Sequence, residues 1–526
     1  MITLRLIYQF DYWTHLAMGQ TFFSMGRDFF LSPNELFAGR AITWPFQVLV
    51  YGVETLFSHT GVSILVASLA TFAFIPLLLR GVCRHNSAGS LLFILTLIGV
   101  VLSSRFRFIA RPELLAYILF TTAMALACHW ADKPKTRTLL GIAALLLIWK
   151  PLHPTLYIGG PLIIAFLASS PQKPGFWRTQ FRSPPFLLIL VPLIGVLLLY
   201  SGRFANYVFT LLEQGNVLTG VVEMRPSWHF PMLFWPFLIT TALAFALALA
   251  PREGRIQRAT LITIALLPGL LAVRNIPLSL LFVSFMAAEG VRRTTLNLTR
   301  PKYLPLLTGG LLVLALLLGG RELRMVDPPF GTGVQWDWFP KESSEFVARN
   351  HLTGPLFNNW DWGGYLLWSL EGAPKPFLDG RFNGSKEKLA DYDRIFAGDQ
   401  HEPLLNKYEI ETILIRPLYL DSGRTFPLVT RLLFSRHWRL VDAQDALVFV
   451  RKDLFPELKT LPLAEGWRLI IRQAEALKRN DPRFEHPHLD FTRGLAYMAV
   501  GEYTLAQNAF QKGKEEFPEI AKQYSH

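Results

Sequence analysis

Hydrophobic positions between Thr60 and Gly320 come in long unbroken runs, parted by short segments rich in Lys, Arg, Pro and Gly. A helix needs about 20 apolar residues to cross the hydrocarbon core of a bilayer. On that measure about ten spans are expected, near 61–82, 88–104, 112–130, 138–150, 155–169, 184–200, 231–250, 259–273, 278–291 and 304–320. The fourth and fifth are short and flank Trp149-Lys150-Pro151-Leu152-His153-Pro154, so they read either as two spans or as one long helix kinked at its prolines. Beyond Gly320 the pattern changes: charged residues, Gly and Pro become frequent and apolar positions fall into short groups. Gly354–Asn358, Lys375–Leu378, Ile410–Ile415, Trp438–Val441 and Leu447–Arg451 read as strands, and Lys341–Arg349 and Gly364–Leu370 as helices between them, a small α/β unit. In the tail, Gly494, Tyr497, Gly501, Tyr503, Ala506, Phe510 and Pro518 have the spacing of one tetratricopeptide repeat, with Gly466–Asn480 and Pro482 as a degenerate predecessor. The plainer reading is a helical hairpin that closes the fold; the other is a surface for a protein partner. The expected organisation is therefore a polytopic α-helical membrane protein in four parts. These are an external loop with amphipathic helices (1–60), a transmembrane domain (61–320), an extracytoplasmic α/β domain (321–458) and a tetratricopeptide-like helical tail (459–526).

Composition sharpens this picture. Of 526 residues 51% are hydrophobic and 17% charged, and the mean hydropathy is +0.30, which excludes disorder and argues against an average soluble protein. The net charge of +13 raises nucleic acid as a partner, but the cations sit between apolar runs, where a membrane explains them. No nucleic-acid partner is expected. Two cysteines, Cys83 and Cys128, exclude a disulfide framework and a Cys-rich zinc site. Alternate connections are rich in Lys and Arg: Arg80 and Arg84; Lys133, Lys135 and Arg137; Lys173, Arg178 and Arg182; Arg252, Arg255 and Arg258; Arg292, Arg293, Arg300 and Lys302. The positive-inside rule makes these cytoplasmic and puts the turns at 105–111, 150–154 and 273–277, the loop at 201–230 and everything after the last span outside. Residues 1–60 then also lie outside, which leads us to expect one more span ahead of Met1.

On the expected outer side, Arg105, Arg107, Arg111 and Arg274 stand where the rule predicts few cations, and each asks for an anionic partner. Lipid phosphate is one, which the guanidinium fork matches bidentately; headgroup snorkelling and pairing with Glu113 are the alternatives. Lys150 and His153 follow the same logic with less force. Glu223 and Arg225, beside Trp228, suit sugar recognition or an interfacial Trp with a local ion pair. In Trp360-Asp361-Trp362-Gly363-Gly364-Tyr365 the glycines suit a strand-to-helix turn, and the roles of Asp361, Asp379 and Arg381 stay open. No Walker loop, dinucleotide fingerprint, metalloprotease helix or haem attachment motif is present.

The first exposed segment reads Asp11-Tyr12-Trp13-Thr14-His15-Leu16-Ala17-Met18-Gly19, then Gly26, then Asn34-Glu35-Leu36-Phe37, then Trp44 and Tyr51. It resembles the opening external loop of the bacterial integral-membrane GT-C glycosyltransferases. Arg111-Pro112-Glu113-Leu114, Trp149 to His153, Arg274-Asn275-Ile276-Pro277, Asn358 to Leu366 and Asp379-Gly380-Arg381 continue the resemblance in the same order, over about residues 11–452. Thr14 stands where the family usually has a second Trp, Thr43 where it often has Glu or Gln, and the family's first helix is missing. The resemblance implies a GT-C-like enzyme of the bacterial inner membrane. It would transfer a sugar, with inversion, from a polyprenyl-phosphate carrier to a glycan, lipid or protein acceptor on the outer face. Such chemistry needs a carboxylate for the acceptor proton and cations for the departing phosphate. Asp11 is the expected base, with Glu35 and His15 assisting; an N-cap for Asp11, aromatic packing for His15 and a solvated turn for Glu35 are the structural alternatives. The residues specify no cofactor; a divalent cation is the one candidate, and Asp11 and Glu35 are the residues that would hold it. Arg105, Arg107, Arg111, Lys150, His153, Glu223, Arg225, Arg274, Asp379 and Arg381 are the expected substrate-binding set. A transporter or flippase of lipid-linked precursors and a non-catalytic scaffold are the competing readings.

Overall fold

The computed structural model describes residues 4–26, 43–82, 87–169, 222–294, 310, 313, 330–379, 386–480 and 485–524. Its contacts divide the chain into two units, Met1–Leu6 with Gly39–Gly333 and Ile7–Ala38 with Val334–His526. This division departs from the expected four parts. Helix α1 (Phe10–Met25) belongs with the residues after Val334, and the tail does not stand apart from the α/β region.

The first unit is helical: α2 (Trp44–Phe72), α3 (Ile75–Gly81), α4 (Ser87–Ser104), α5 (Glu113–Asp132), α6 (Thr136–Trp149), α7 (Leu156–Ser169), α8 (Pro231–Leu249), α9 (Arg255–Leu271) and α10 (Ile276–Arg293). Four stretches among the described residues are long and apolar enough to cross a membrane: Trp44–Gly81, Ser87–Arg107, Glu113–Asp132 and Pro231–Leu249. Ten such spans are not shown. Those expected at 184–200 and, but for residues 310 and 313, at 304–320 lie outside the described residues. Helices α6 and α7 are separate, each 14 residues long. At 1.5 Å per residue that is about 21 Å, short of a hydrocarbon core of about 30 Å. The first span begins at Trp44 instead of 61, with Pro45 in the first turn and a break at Ser58, whose φ of 58° interrupts the helix.

Every residue of α10 from Ile276 to Val291 is buried, as a helix apolar on all sides must be when neighbours enclose it. It packs against α3, α4, α5, α8 and α9. A Cβ on Gly290 would overlap the carbonyl oxygen of Leu247, so the backbones of α8 and α10 touch where glycine alone fits. On the outer faces of the same unit Ile64, Leu140, Ile239 and Leu267 are exposed, an apolar surface suited to lipid.

The second unit carries a four-stranded sheet, β1 (Leu356–Asn358), β2 (Thr412–Ile415), β3 (Trp438–Asp442) and β4 (Leu447–Arg451), in the order β1-β2-β4-β3. β1 and β2 are parallel and the other pairs antiparallel. The fifth expected strand, Lys375–Leu378, makes only an isolated bridge from Pro376 to Leu356, since Pro376 has no N–H to give a ladder. The buried Asn358 amide ties this segment down instead, donating to Leu378 O (2.9 Å) while its Oδ1 accepts from Phe377 N (2.8 Å). Around the sheet lie α11 (Lys341–Arg349), α12 (Gly363–Ser369), α13 (Lys386–Phe396), α14 (His401–Lys407), α15 (Pro427–Leu433), α16 (Leu463–Asn480), α17 (Leu489–Ala499) and α18 (Tyr503–Glu516). Leu469, Ile470, Ala474 and Leu477 of α16 share one core with Phe357, Ile413, Leu440 and Phe449 of the strands. In the tail, α17 and α18 form a hairpin in which Gly494 leaves room for the Phe510 ring.

Candidate functional site

At one end of the helical unit, segments distant in sequence bring cations and carboxylates together. Helix α4 ends in a single tight turn, Arg105–Arg107, and Pro112 restarts the chain as α5 with Glu113 in its first turn. A carboxylate is favoured there by the helix dipole. Arg107 pairs with Glu113, and both are almost completely buried, at 1% and 4% exposure. Arg107 Nη1 also reaches Glu223 Oε2 at 2.7 Å, and Arg111 Nη1 reaches the other oxygen of Glu223 at 2.6 Å. Arg274 comes from the turn between α9 and α10, 3.7 Å from Glu113. Two hydrogen bonds fix that turn: Val273 N to Arg225 O (3.0 Å) and Asn275 Nδ2 to Pro268 O (3.3 Å). Arg274 Nη1 further contacts Met224 Sδ at 3.7 Å.

His153 Nε2 approaches Glu113 at 3.5 Å. Burial pushes the imidazole pKa down to about 4, and Arg274, Arg107 and Arg111 push the same way against the pull of Glu113. This contact is therefore between a neutral ring and a carboxylate, not an ion pair. Thr155 N donates to His153 Nδ1 (3.2 Å), which makes Nδ1 an acceptor and places the ring proton on Nε2, toward Glu113. Trp149 Nε1 donates to Thr155 Oγ1 (3.3 Å), so the break between α6 and α7 is a hydrogen-bonded support for Glu113. For Glu223, burial opposes ionisation, but attraction by Arg107, Arg111 and Arg274 prevails and holds its carboxyl below the usual range. Among the described residues three guanidinium groups, Arg107, Arg111 and Arg274, thus face the carboxylates Glu113 and Glu223 beside a neutral His. Buried Arg107 Nε has no acceptor among the described residues.

Of the expected substrate-binding residues, the structure brings together Arg107, Arg111, His153, Glu223 and Arg274. Arg105 sits on the same turn and donates to Leu102 O at 3.5 Å. Lys150 is half-buried at the head of the α6–α7 break, and Arg225 is exposed, contributing its carbonyl to the Arg274 turn. Glu223 does not pair locally with Arg225 as its position suggests; it bridges Arg107 and Arg111.

Asp11, His15, Asp361 and Asp379 lie in the second unit, whereas the arginines lie in the first. Gln9 holds the N-cap of α1, so Asp11 is not the cap; it is in the first turn, half-buried. His15 follows one turn later on the same face. Trp13 of this segment is fully buried against Trp336, Phe339, Tyr365 and Trp368, and a Cβ on Gly364 would overlap Thr14. The Trp-Gly-Gly-Tyr motif is therefore what lets α12 lie against α1. Asp361 pairs with Arg416 at 2.8 Å, Asn359 Oδ1 accepts from Arg416 N at 2.8 Å, and the Arg416 guanidinium lies 4.7 Å from the Trp362 ring. These motif residues build the unit. Asp379 is buried beside Gly363. Glu35 and Arg381 lie outside the described residues.

No family model matches the chain, and no curated protein matches it. The case for function therefore rests on the chemistry of the site. Among the described residues no group of three or more His, Cys, Asp or Glu is arranged to hold a metal ion. Glu113, expected as an alternative partner for the arginines and as part of the Arg111-Pro112-Glu113-Leu114 segment but not as a site residue, is the buried carboxylate around which Arg107, His153 and Arg274 gather. Its signal was available: a lone carboxylate at the head of an apolar span is costly unless paired or used.

Proposed function

We propose that this chain is a GT-C-type membrane glycosyltransferase. It takes a sugar from a polyprenyl-phosphate carrier to an acceptor hydroxyl, with inversion, on the outer face of a bacterial inner membrane. The observation that supports this reading is the convergence of Arg107, Arg111 and Arg274, from turns far apart in sequence, around the carboxylates Glu113 and Glu223 at one end of the helical unit. A phosphodiester carries one negative charge, and guanidinium forks match its oxygens bidentately. In the reaction the acceptor oxygen attacks the anomeric carbon, the bond from that carbon to the phosphate oxygen breaks, and its electron pair leaves with the phosphate. The acceptor proton passes to Asp11. As charge grows on the phosphate the arginines stabilise it, and Glu113, Glu223 and His153 act as positioning residues. This reading requires Asp11 within about 10 Å of Arg105, Arg107, Arg111 or Arg274, the range over which charges still interact appreciably.

The test uses the full chain in nanodiscs with a radiolabelled polyprenyl-phosphate sugar. Asp11→Asn abolishes turnover while donor binding survives, and Arg111→Lys weakens donor binding about tenfold because the fork is lost. Wild-type affinity and turnover in both variants would return these residues to a structural role and leave the transporter and scaffold readings. A bismaleimide of about 10 Å reach should join the cysteine pair Asp11→Cys, Arg111→Cys. Reporter fusions at Lys135 and Gly254 should report cytoplasm, and opposite results at both would invert the proposed orientation.

A further inference from the structure

We infer that the helical unit binds the phosphate of an anionic phospholipid at the start of α9, the opposite end of that helix from the Arg274 turn. The inference does not depend on the transferase reading. A cavity of about 420 Å³ opens where the chain passes from α8 to α9, lined by Gly254, Arg255, Gln257 and Arg258 and by Met286 and Glu289 of α10. Its volume is within the range of small-molecule sites, about 300–1,000 Å³.

Helix α9 begins without a side-chain cap. Its N-cap residue is Gly254, at a φ of 63°, which has no side chain to accept from the first turn. Arg258 N makes the first bond back, to Gly254 O. Among the described residues the N–H groups of Arg255, Ile256 and Gln257 therefore have no acceptor, and they stand at the positive end of the helix dipole. Arg258 turns this helix start into a site. Its side chain, 8% exposed, folds back so that Nε donates to Ala248 O (2.6 Å) and Nη2 to Pro251 O (2.8 Å). A Cβ on Gly254 would lie 3.3 Å from Nη1, so the remaining edge of the fork sits at the helix start and opens on the cavity. Carbonyl oxygens satisfy two of its nitrogens but do not neutralise it, and among the described residues Arg258 forms no salt bridge. Glu289 is engaged elsewhere, by Arg80, Arg292 and Arg293. A buried guanidinium without a counter-charge is costly unless an anion meets it.

Nη1 of Arg258 and the first-turn N–H groups are all donors, so the complement is a group that only accepts, through several oxygens: a phosphate. The surface of α9 says that this phosphate carries a tail. Ile256, which lines the cavity, is exposed, and so are Ile264, Leu267 and Leu271. At 100° per residue these four fall within one narrow stripe of the helix. From Ile256 to Leu271 the stripe runs about 22 Å at 1.5 Å per residue, more than the roughly 15 Å of one leaflet of a hydrocarbon core. A headgroup at the helix start thus has an apolar track for its acyl chain. Basic pockets between membrane helices hold anionic headgroups in this way.

The experiment titrates the detergent-solubilised full chain with phosphatidylglycerol or phosphatidylcholine and counts bound lipid by native mass spectrometry. The first phosphatidylglycerol should bind about tenfold more tightly than phosphatidylcholine. Arg258→Gln should remove that preference, but it also releases the Ala248 and Pro251 carbonyls and can disturb the loop. Gly254→Asp supplies a second test: Asp tolerates the left-handed backbone, caps the helix and puts a carboxylate beside Nη1, so it should remove the preference without lowering the unfolding temperature. Arg292→Gln takes a cation from the same end but outside the cavity and should leave the preference intact. Glycerol 1-phosphate, the headgroup chemistry without the tail, should not displace the lipid at equal concentration. The inference is overturned by equal binding of the two lipids, by an undiminished preference in folded Gly254→Asp, or by an equal loss in Arg292→Gln. Displacement by glycerol 1-phosphate at equal concentration would overturn it in favour of a free phosphate.

Discussion

Both ends of the helical unit pair arginines with carboxylates, in different surroundings. At one end Arg107, Arg111 and Arg274 face Glu113 and Glu223; at the other Arg80, Arg292 and Arg293 face Glu289 and Asp132. Helix α5 carries Glu113 at its start and Asp132 at its end, 19 residues later. At 1.5 Å per residue that is about 28 Å, close to the thickness of a hydrocarbon core. The mere presence of arginine–carboxylate pairs does not distinguish the ends. Burial does. The most buried pair at the first end, Arg107 and Glu113, is 1% and 5% exposed, whereas the most buried pair at the second, Arg80 and Glu289, is 16% and 5% exposed. At the open end water and headgroups absorb an excess charge at little cost. At the closed end Arg111 and Arg274 stand beside a dry ion pair, where an anion finds cations little screened by water.

The largest expected effect follows from that difference. Arg107→Met leaves Glu113 buried beside weaker partners and should cost about 3–5 kcal/mol, read as thermal unfolding of the detergent-solubilised protein. The double variant Arg107→Met/Glu113→Leu removes both charges and should recover most of that stability. Donor binding should not recover, because the guanidinium is gone. Recovery of both would make the closed end a structural lock like the open one.

The second prediction concerns pH. His153 is neutral in the fold, with its pKa pushed down to about 4 by burial, while in the unfolded chain it titrates near 6.5. Between those values the unfolded chain binds a proton that the folded chain refuses, so stability falls as pH drops from about 6.5 to about 4, by roughly 3 kcal/mol in all. Above pH 6.5 this term is flat. His153→Gln should lose that slope while keeping a neutral donor near Glu113; identical slopes in variant and wild type would show that the ring is protonated in the fold and adds a further charge to the closed end.

Much of this was legible in the chain. The short apolar groups between Gly354 and Arg451 gave four of the strands, and Pro376 explains the one that failed to form. The arginines at 105–111 and 274 stood out because they break the positive-inside pattern. What spacing does not reveal is the distant partner. Glu223 has Arg225 two residues away, yet the loop carries its carboxylate to Arg107 and Arg111. Likewise α1 shows which of its faces is apolar but not what covers it, and the cover, Trp336 to Trp368, lies more than 300 residues later. The membership of Asp11 in the second unit follows from that packing.

The smallest expected effect is at the open end and sets the scale for the others. Arg292 bonds Asp132 and lies 3.4 Å from Glu289, but Arg80 holds both carboxylates as well, so removing Arg292 strands neither of them. Arg292→Gln should therefore cost less than about 1 kcal/mol, the range of partly exposed ion pairs. At 1 M salt, where the screening length is about 3 Å, even that difference should vanish. The cost of Arg107→Met should persist in the same salt, because counter-ions do not enter a dry pair. Should Arg292→Gln cost as much as Arg107→Met, or the two respond alike to salt, burial would not separate the ends. The group of Arg107, Arg111 and Arg274 would then give no more reason to expect a bound phosphate than the group around Glu289.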